Sequence, residues 1–203
     1  MGERTAGKVI SMATMSLDGY ISGPGESGFD RLFAWYDGGE VEVDTARPGM
    51  TWRMSPQSAR LLLSDLASVG AMVVGRRLFD LTGGWDGRHP FERPIVVVSH
   101  GVPDGWPRPG VPYEFCRDGV GAAVERARAL ARGRHVGVTA GSIARQCLEA
   151  GLLDEVWISL APVLLGGGTP YFDGLAVAPA DLEGPYLVVQ DPHVTHLRYR
   201  VRR

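Results

Sequence analysis

From Lys8 to Met15 the chain reads as a short strand, and Ser16-Leu17-Asp18-Gly19-Tyr20-Ile21-Ser22-Gly23-Pro24-Gly25 interrupts it with glycines and a proline. A mobile loop is therefore expected after the first strand. The stretch Glu26 to Met54 has little periodicity and mixes Gly, Asp and aromatics, which predicts a long, lid-like excursion over 26–54 with a short helix around Arg31 to Tyr36. Ser55 as cap and Pro56 at the first turn open a helix whose apolar stripe is Ala59, Leu62, Leu63 and Leu66, ending near Gly70. Ala71 to Val74 and Pro94 to Ser99 are continuous apolar runs typical of buried parallel strands, with Arg76 to Asp80 a helical turn between them. A further strand is expected at Pro112 to Cys116. Val120, Ala123, Val124, Ala127, Leu130 and Ala131 follow three-four spacing, so a helix precedes the strand Arg134 to Thr139. A second helix runs from Ser142 to about Ala150 with Gly151 as its stop, and Glu155 to Leu160 resumes as a strand. Leu187 to Gln190 and Val194 to Val201 form a hairpin about Asp191-Pro192-His193, with Leu197, Tyr199 and Val201 on a buried face and Arg198, Arg200 and Arg202 on a wet one. Alternating helices and strands with a terminal hairpin imply an α/β domain whose sheet is mostly parallel, with an antiparallel edge.

Composition narrows the class. The 203 residues, 44% of them hydrophobic, suit one domain over 1–203 with its core in 8–203. A net charge of -2 gives no electrostatic reason to expect nucleic acid or an anionic membrane as partner. Met1 to Lys8 lacks a signal peptide's apolar core and no apolar stretch reaches the roughly 20 residues that span a bilayer, so a cytoplasmic protein is expected. Cys116 and Cys147 match no metal or redox spacing and read as packed thiols.

In open α/β sheets, ligands bind beyond the carboxyl ends of parallel strands, where the amides of following helices point outward. Three strand ends carry distinctive residues. Gly75-Arg76-Arg77 offers close approach and two guanidiniums for a phosphate. Ser99-His100 offers a hydroxyl and an imidazole. Thr139-Ala140-Gly141-Ser142-Ile143 is a strand-turn-helix junction whose amides and hydroxyl suit a pyrophosphate, although each motif also has a purely structural reading. Other signals carry less. Gly119-Val120-Gly121 lacks a leading strand and a third glycine, and His193 and His196 lack a local carboxylate or cysteine partner, so no metal is expected. No Gly-x-Ser-x-Gly elbow and no zinc-deaminase pattern occurs.

Met15 to Ile21, Ala71 to Arg76, and above all Gly151-Leu152-Leu153-Asp154-Glu155 through Pro162-Val163-Leu164-Leu165-Gly166-Gly167-Gly168 resemble the reductase domains of the bifunctional riboflavin-biosynthesis deaminase-reductase, within the dihydrofolate-reductase-like superfamily. The resemblance implies a three-layer α/β/α, dihydrofolate-reductase-like fold, a stand-alone NADPH-dependent reductase domain and a homodimer. By position it places Gly75, Arg76 and Arg77 at the adenosine-side phosphates, Ser99 and His100 near the 2′-phosphate, and Thr139, Ala140, Gly141, Ser142 and Ile143 at the pyrophosphate. Ala13, Thr14 and Ile21 would position the nicotinamide, with Leu164, Gly166 and Gly167 close by. Ser16 and Asp18 would face a small heterocyclic substrate, Asp18 delivering a proton or orienting it, and Trp35, Trp52 and Met54 in the lid would add contacts. Tyr20 stands where the riboflavin enzymes commonly carry a lysine, and Ala140-Gly141 replaces their usual double glycine. The implied activity is that of a 5-amino-6-(5-phosphoribosylamino)uracil reductase. A dihydrofolate-type or specialised pterin or pyrimidine reductase is the alternative within the class, and a non-catalytic nucleotide-binding dimer the alternative outside it.

Overall fold

A computed structural model describes residues 7–202; Met1 to Ala6, which carry most of the leader reading above, and Arg203 lie outside them. In chain order the elements are β1 (Val9–Ser16), β2 (Tyr20–Ser22), α1 (Phe29–Leu32), a 3-10 turn (Ala34–Asp37), β3 (Val41–Asp44), β4 (Thr51–Met54), α2 (Pro56–Ser68), β5 (Val69–Gly75) and α3 (Arg76–Leu81). A second 3-10 segment (Gly83–Gly87) leads to β6 (Ile95–Val98), β7 (Tyr113–Cys116), α4 (Gly119–Ala131), β8 (His135–Val138) and α5 (Ser142–Glu149). The chain closes with β9 (Glu155–Ala161), β10 (Thr169–Pro170), β11 (Leu182–Asp191) and β12 (Val194–Val201).

Eight strands form one sheet in the order β11-β12-β9-β1-β8-β5-β6-β7. The pairs from β9 through β7 are parallel, while β12 runs antiparallel to both β9 and β11. Both faces of the central strands are covered, and this is why β5 and β6 read as unbroken apolar runs. Alternate residues serve opposite layers: Ala71, Val73 and Val96 pack against Ala123, Val124 and Ala127 of α4, whereas Met72, Val74, Ile95 and Val97 pack towards Phe79 of α3. Ser55 caps α2 by accepting from the Ser58 amide at 3.1 Å, as its sequence context predicts.

Three expectations change. The stripe of α2 is Ala59, Leu62 and Leu66; Leu63 is 53% exposed. The 26–54 excursion is no lid. Its strands β3 and β4 pair antiparallel, and Trp35, Val43 and Met54 are buried in one cluster with Ala59, Leu62 and Val194. Swinging it open would return those side chains to water at about 1.5–3 kcal/mol each. Finally, Arg198 is not on a wet face. Because β12 lies inside the sheet with α2 over it, the guanidinium pairs with Asp65 of α2 and stacks 3.9 Å from the Trp157 ring, leaving the two charged side chains only 13% and 14% exposed. Burial outweighs the arginine and pushes the Asp65 carboxyl up to about 6.

Removing one member of a buried pair leaves the other charge uncompensated. Arg198→Ala is expected to lower unfolding free energy by about 3 kcal/mol in urea denaturation, and adding Asp65→Leu to recover most of that loss.

Candidate functional site

Because β1, β8, β5 and β6 run parallel side by side, Ser16, Thr139, Gly75 and Ser99 emerge on one edge of the sheet. The topology thus gathers the three strand-end motifs that the sequence offers separately. Gly75 has extended backbone (φ −81°, ψ 154°), so what it supplies is space: a Cβ there would lie 3.3 Å from Cγ1 of Ile143. Gly141 does need glycine's freedom, with φ +75° at the cap of α5, and its absent Cβ would lie 3.6 Å from Cδ1 of Ile21. Ala140, by contrast, does not take a positive φ. The Gly141 amide donates to the Tyr171 carbonyl at 2.9 Å, and the next amides, of Ser142 and Ile143, begin a helix whose first turn has no internal acceptors. Ser142 is exposed there.

The arginines at the next strand end are already engaged. Arg76 Nε donates to both carboxylate oxygens of Asp80 at 2.8 Å, and its NH1 reaches Ser99 Oγ and the Gly101 carbonyl, each at 3.3 Å. Arg77, 70% exposed, pairs with Glu26. Glu26, Arg76, Arg77 and Asp80 line one open cleft in which the formal charges cancel. His100 is exposed on the turn beyond Ser99.

Ser16 and Asp18 are joined to each other and to the glycine loop. Ser16 is fully buried; its hydroxyl donates to Asp18 at 2.6 Å and accepts from the Tyr20 amide at 2.9 Å. The Asp18 carboxylate also accepts from the amides of Leu165 (3.1 Å) and Gly166 (2.7 Å). The Ser16 hydroxyl, followed by those amides, holds the carboxyl below its usual range against the opposing effect of burial. Asp18 is thus an ionised acceptor that ties the β1–β2 turn to the glycine loop, which is a poor state for delivering a proton. Leu164 at the tip of that loop is 70% exposed, and Gly168 is held so close to β2 that a Cβ would sit 2.0 Å from the Ser22 carbonyl oxygen.

Ala13, Thr14, Ile21, Gly141 and the 164–167 loop therefore surround the end of β1, next to Gly75 and Ile143. Met54 is not among them: it is fully buried in the core, and Trp52 stacks on Tyr36 at 4.6 Å and edge-on to Phe91 at 5.7 Å. Two groups have contacts that the sequence does not foretell. Tyr171 buries its hydroxyl against Ser11 Oγ at 2.9 Å while its carbonyl holds Gly141. Ser159 and His196 face the α2 side of the sheet beside Thr14, and the only sequence signal was a hydroxyl and an imidazole placed in otherwise apolar strands. Among the described residues no group of His, Cys, Asp or Glu is arranged to hold a metal, and no helix is long and apolar enough to cross a membrane.

This strand order is that of a dihydrofolate-reductase-like α/β fold. Residues 121–196 match the family model of the RibD C-terminal domain, a stretch that contains the Gly151 to Gly168 block of the resemblance. Among solved structures, a protein of Shewanella sp. PV-4 assigned to riboflavin biosynthesis superposes with a TM-score of 0.67 at 22% identity, over 98% of this chain and 100% of its own. The deaminase/5-amino-6-(5-phosphoribosylamino)uracil reductase of Thermotoga maritima gives 0.58 at 13% identity, over 97% of this chain but 57% of its own. Enterococcus faecalis dihydrofolate reductase, complexed with NADP(H), gives 0.54 at 14% identity over 98% of each chain. A comparison with curated protein sequences finds no match.

If Asp18 anchors the glycine loop, Asp18→Ala should accelerate hydrogen exchange at the Leu165 and Gly166 amides by about tenfold or more while amides of β1 and β9 keep their protection. Unchanged exchange at those two amides would show that the loop holds itself.

Proposed function

We propose that the chain is an NADPH-dependent reductase acting on a C=N or C=O bond of a small heterocycle, with the 5-amino-6-(5-phosphoribosylamino)uracil reductase reaction as its nearest chemical model. The observation that carries the reading is the convergence of Ile21 on Gly141 and of Gly75 on Ile143 along one parallel-strand edge. That edge fits a dinucleotide. The places where a backbone must approach a phosphate bear no Cβ, the opening amides of α5 face outward, and two guanidiniums stand at the next strand end.

In this reading Ser142 and the amides of Ser142 and Ile143 hold the pyrophosphate, and Arg76 and Arg77, with Ser99 and His100, hold the adenosine side. Thr14, Ala13 and Ile21 fix the nicotinamide face. A bound nicotinamide supplies the hydride; the chain supplies distance, orientation and exclusion of water. Asp18 contributes by locking the glycine loop against the β1–β2 turn, and a proton for the reduced group then comes from another source. Since Asp80 and Glu26 already engage the two arginines, a phosphate must displace or share those contacts, and selectivity for the 2′-phosphate rests on Arg76 in its exchange from Asp80. We further read the protein as cytoplasmic and homodimeric. Support for self-association is an apolar row, Val188, Leu197 and Ile158, that crosses three strands on the face away from α2 and leaves Val188 56% exposed.

Titration of tryptophan fluorescence is expected to show NADPH binding more tightly than NADH, with Arg76→Ala weakening NADPH by about tenfold and NADH by much less. Equal losses would move Arg76 to the pyrophosphate, and binding of neither cofactor would sink the reductase reading. Sedimentation at micromolar concentration is expected to give a dimer, which Val188→Glu dissociates; a monomeric parent chain would refute the association.

A further inference from the structure

Helix α5 begins without a side-chain cap. The group that meets its start comes from residue 171, whose carbonyl accepts from the Gly141 amide at 2.9 Å and whose own amide donates to the Gly19 carbonyl at 2.9 Å. One residue thus joins the strand-turn-helix junction after β8 to the turn between β1 and β2. Both of its neighbours have backbone that glycine alone adopts easily, with φ +75° at Gly141 and +93° at Gly19, so their conformation must be imposed by a partner.

What fixes residue 171 is its side chain. Tyr171 is 3% exposed and sits in the buried cluster that also contains Val138 of β8 and Ile143 and Cys147 of α5. Its hydroxyl lies 2.9 Å from Oγ of Ser11, which is fully buried, and 3.5 Å from the Trp157 carbonyl oxygen. The tip of the ring is therefore tied to β1 and, more weakly, to β9 in the middle of the sheet. Burial raises the phenol well above its usual range, so it stays protonated and keeps this bond near pH 7. At the other end of the residue, the amides of Ser142 and Ile143 follow Gly141 directly, and the Arg145 amide closes the first turn on the Gly141 carbonyl at 3.0 Å. Any rotation about Gly141 re-aims both of those amides.

We propose that Tyr171 is a positioning residue for a pyrophosphate: anchored at Ser11, it holds the Gly141 amide on its own carbonyl and thereby fixes the direction of the Ser142 and Ile143 amides. It touches no ligand itself. The brace between Tyr171 and Gly141 stands on geometry alone; that the amides it aims receive a pyrophosphate rests on the reductase reading. The site edge is then divided in two. The adenosine side, held by Arg76, Arg77 and Ser99, is independent of Tyr171, whereas the pyrophosphate depends on it.

The test compares the whole parent chain with Tyr171→Phe and with the pair Ser11→Ala/Tyr171→Phe. Each is followed by hydrogen exchange, by urea denaturation and by calorimetric titration with NADPH and with adenosine 2′-monophosphate, which has no pyrophosphate. In Tyr171→Phe the Gly141 amide is expected to exchange about tenfold faster, and NADPH to bind about tenfold more weakly, while adenosine 2′-monophosphate stays within about twofold. The single variant leaves the Ser11 hydroxyl buried without its Tyr171 partner and lowers the urea midpoint; the double variant replaces both polar groups and recovers most of that midpoint. NADPH affinity should nevertheless stay low in the double variant, because the anchor is still missing. Affinity that recovers together with the midpoint, or an equal loss for both ligands, overturns the positioning role by reducing it to general stability. Unchanged exchange at Gly141, or faster exchange with unchanged NADPH affinity, overturns it as well. If Tyr171→Phe does not fold, the double variant carries the same measurements. Failure of the parent chain to bind NADPH overturns the reductase reading and the pyrophosphate with it, and accelerated exchange at Gly141 would then leave Tyr171 as a brace for α5 alone.

Discussion

Seven consecutive residue pairs, from Ile10 with Glu155 to Ser16 with Ala161, join β1 to β9 in parallel, and the rest of the molecule is arranged around that register. On the other flank of β1 the pairings with β8, of β8 with β5 and of β5 with β6 bring their carboxyl ends together, so amides, glycines and arginines from distant parts of the chain share one edge. It also aligns Thr14, Ser159 and His196 on the other side of the same strands. A slip of one residue between β1 and β9 would put Thr14 and Ser159 on opposite faces of the sheet.

The register is itself held at both ends. At the amino end the Glu155 carboxylate, buried to 3% exposure, pairs with Lys8 and accepts from Trp157 Nε1 and the Tyr186 hydroxyl, and those three partners offset its desolvation. At the carboxyl end Leu17 donates to the Val163 carbonyl, and Asp18 gathers the Leu165 and Gly166 amides. The chemistry at this edge is therefore mostly scaffold chemistry. The Asp18 carboxylate accepts from the glycine-loop amides, and Arg76 and Arg77 are engaged by Asp80 and Glu26.

Local sequence was a good guide wherever an element is specified by its own residues. The cap at Ser55, the doubly buried runs of β5 and β6, the stripe of α4 and the stop at Gly151 all follow from propensity and period, and so does the order of strand and helix that makes the fold legible. The glycine-rich strand ends were legible for the same reason, since a positive φ at Gly141 or a missing Cβ at Gly75 is written in a single letter. What could not be read was which side of a strand an isolated polar residue faces. Alternation alone places Arg198 in water with Arg200 and Arg202, yet α2 covers that face and supplies Asp65. The lack of period in 26–54 suggests a lid carrying Trp35 and Met54, yet both pack on α2 through contacts that no local window contains.

The sequence by itself determined the class of fold, the succession of its elements and the strand-end motifs through which a dinucleotide site can be recognised, because each depends on backbone preferences and burial over a few neighbouring residues. Only the tertiary structure decided what those side chains are free to do. That Asp18 is bonded to Ser16 and to the glycine loop, and that Arg76 is engaged by Asp80, is decided by partners from 2 to 148 positions away, brought together by the turn, the strand register and the helix packing.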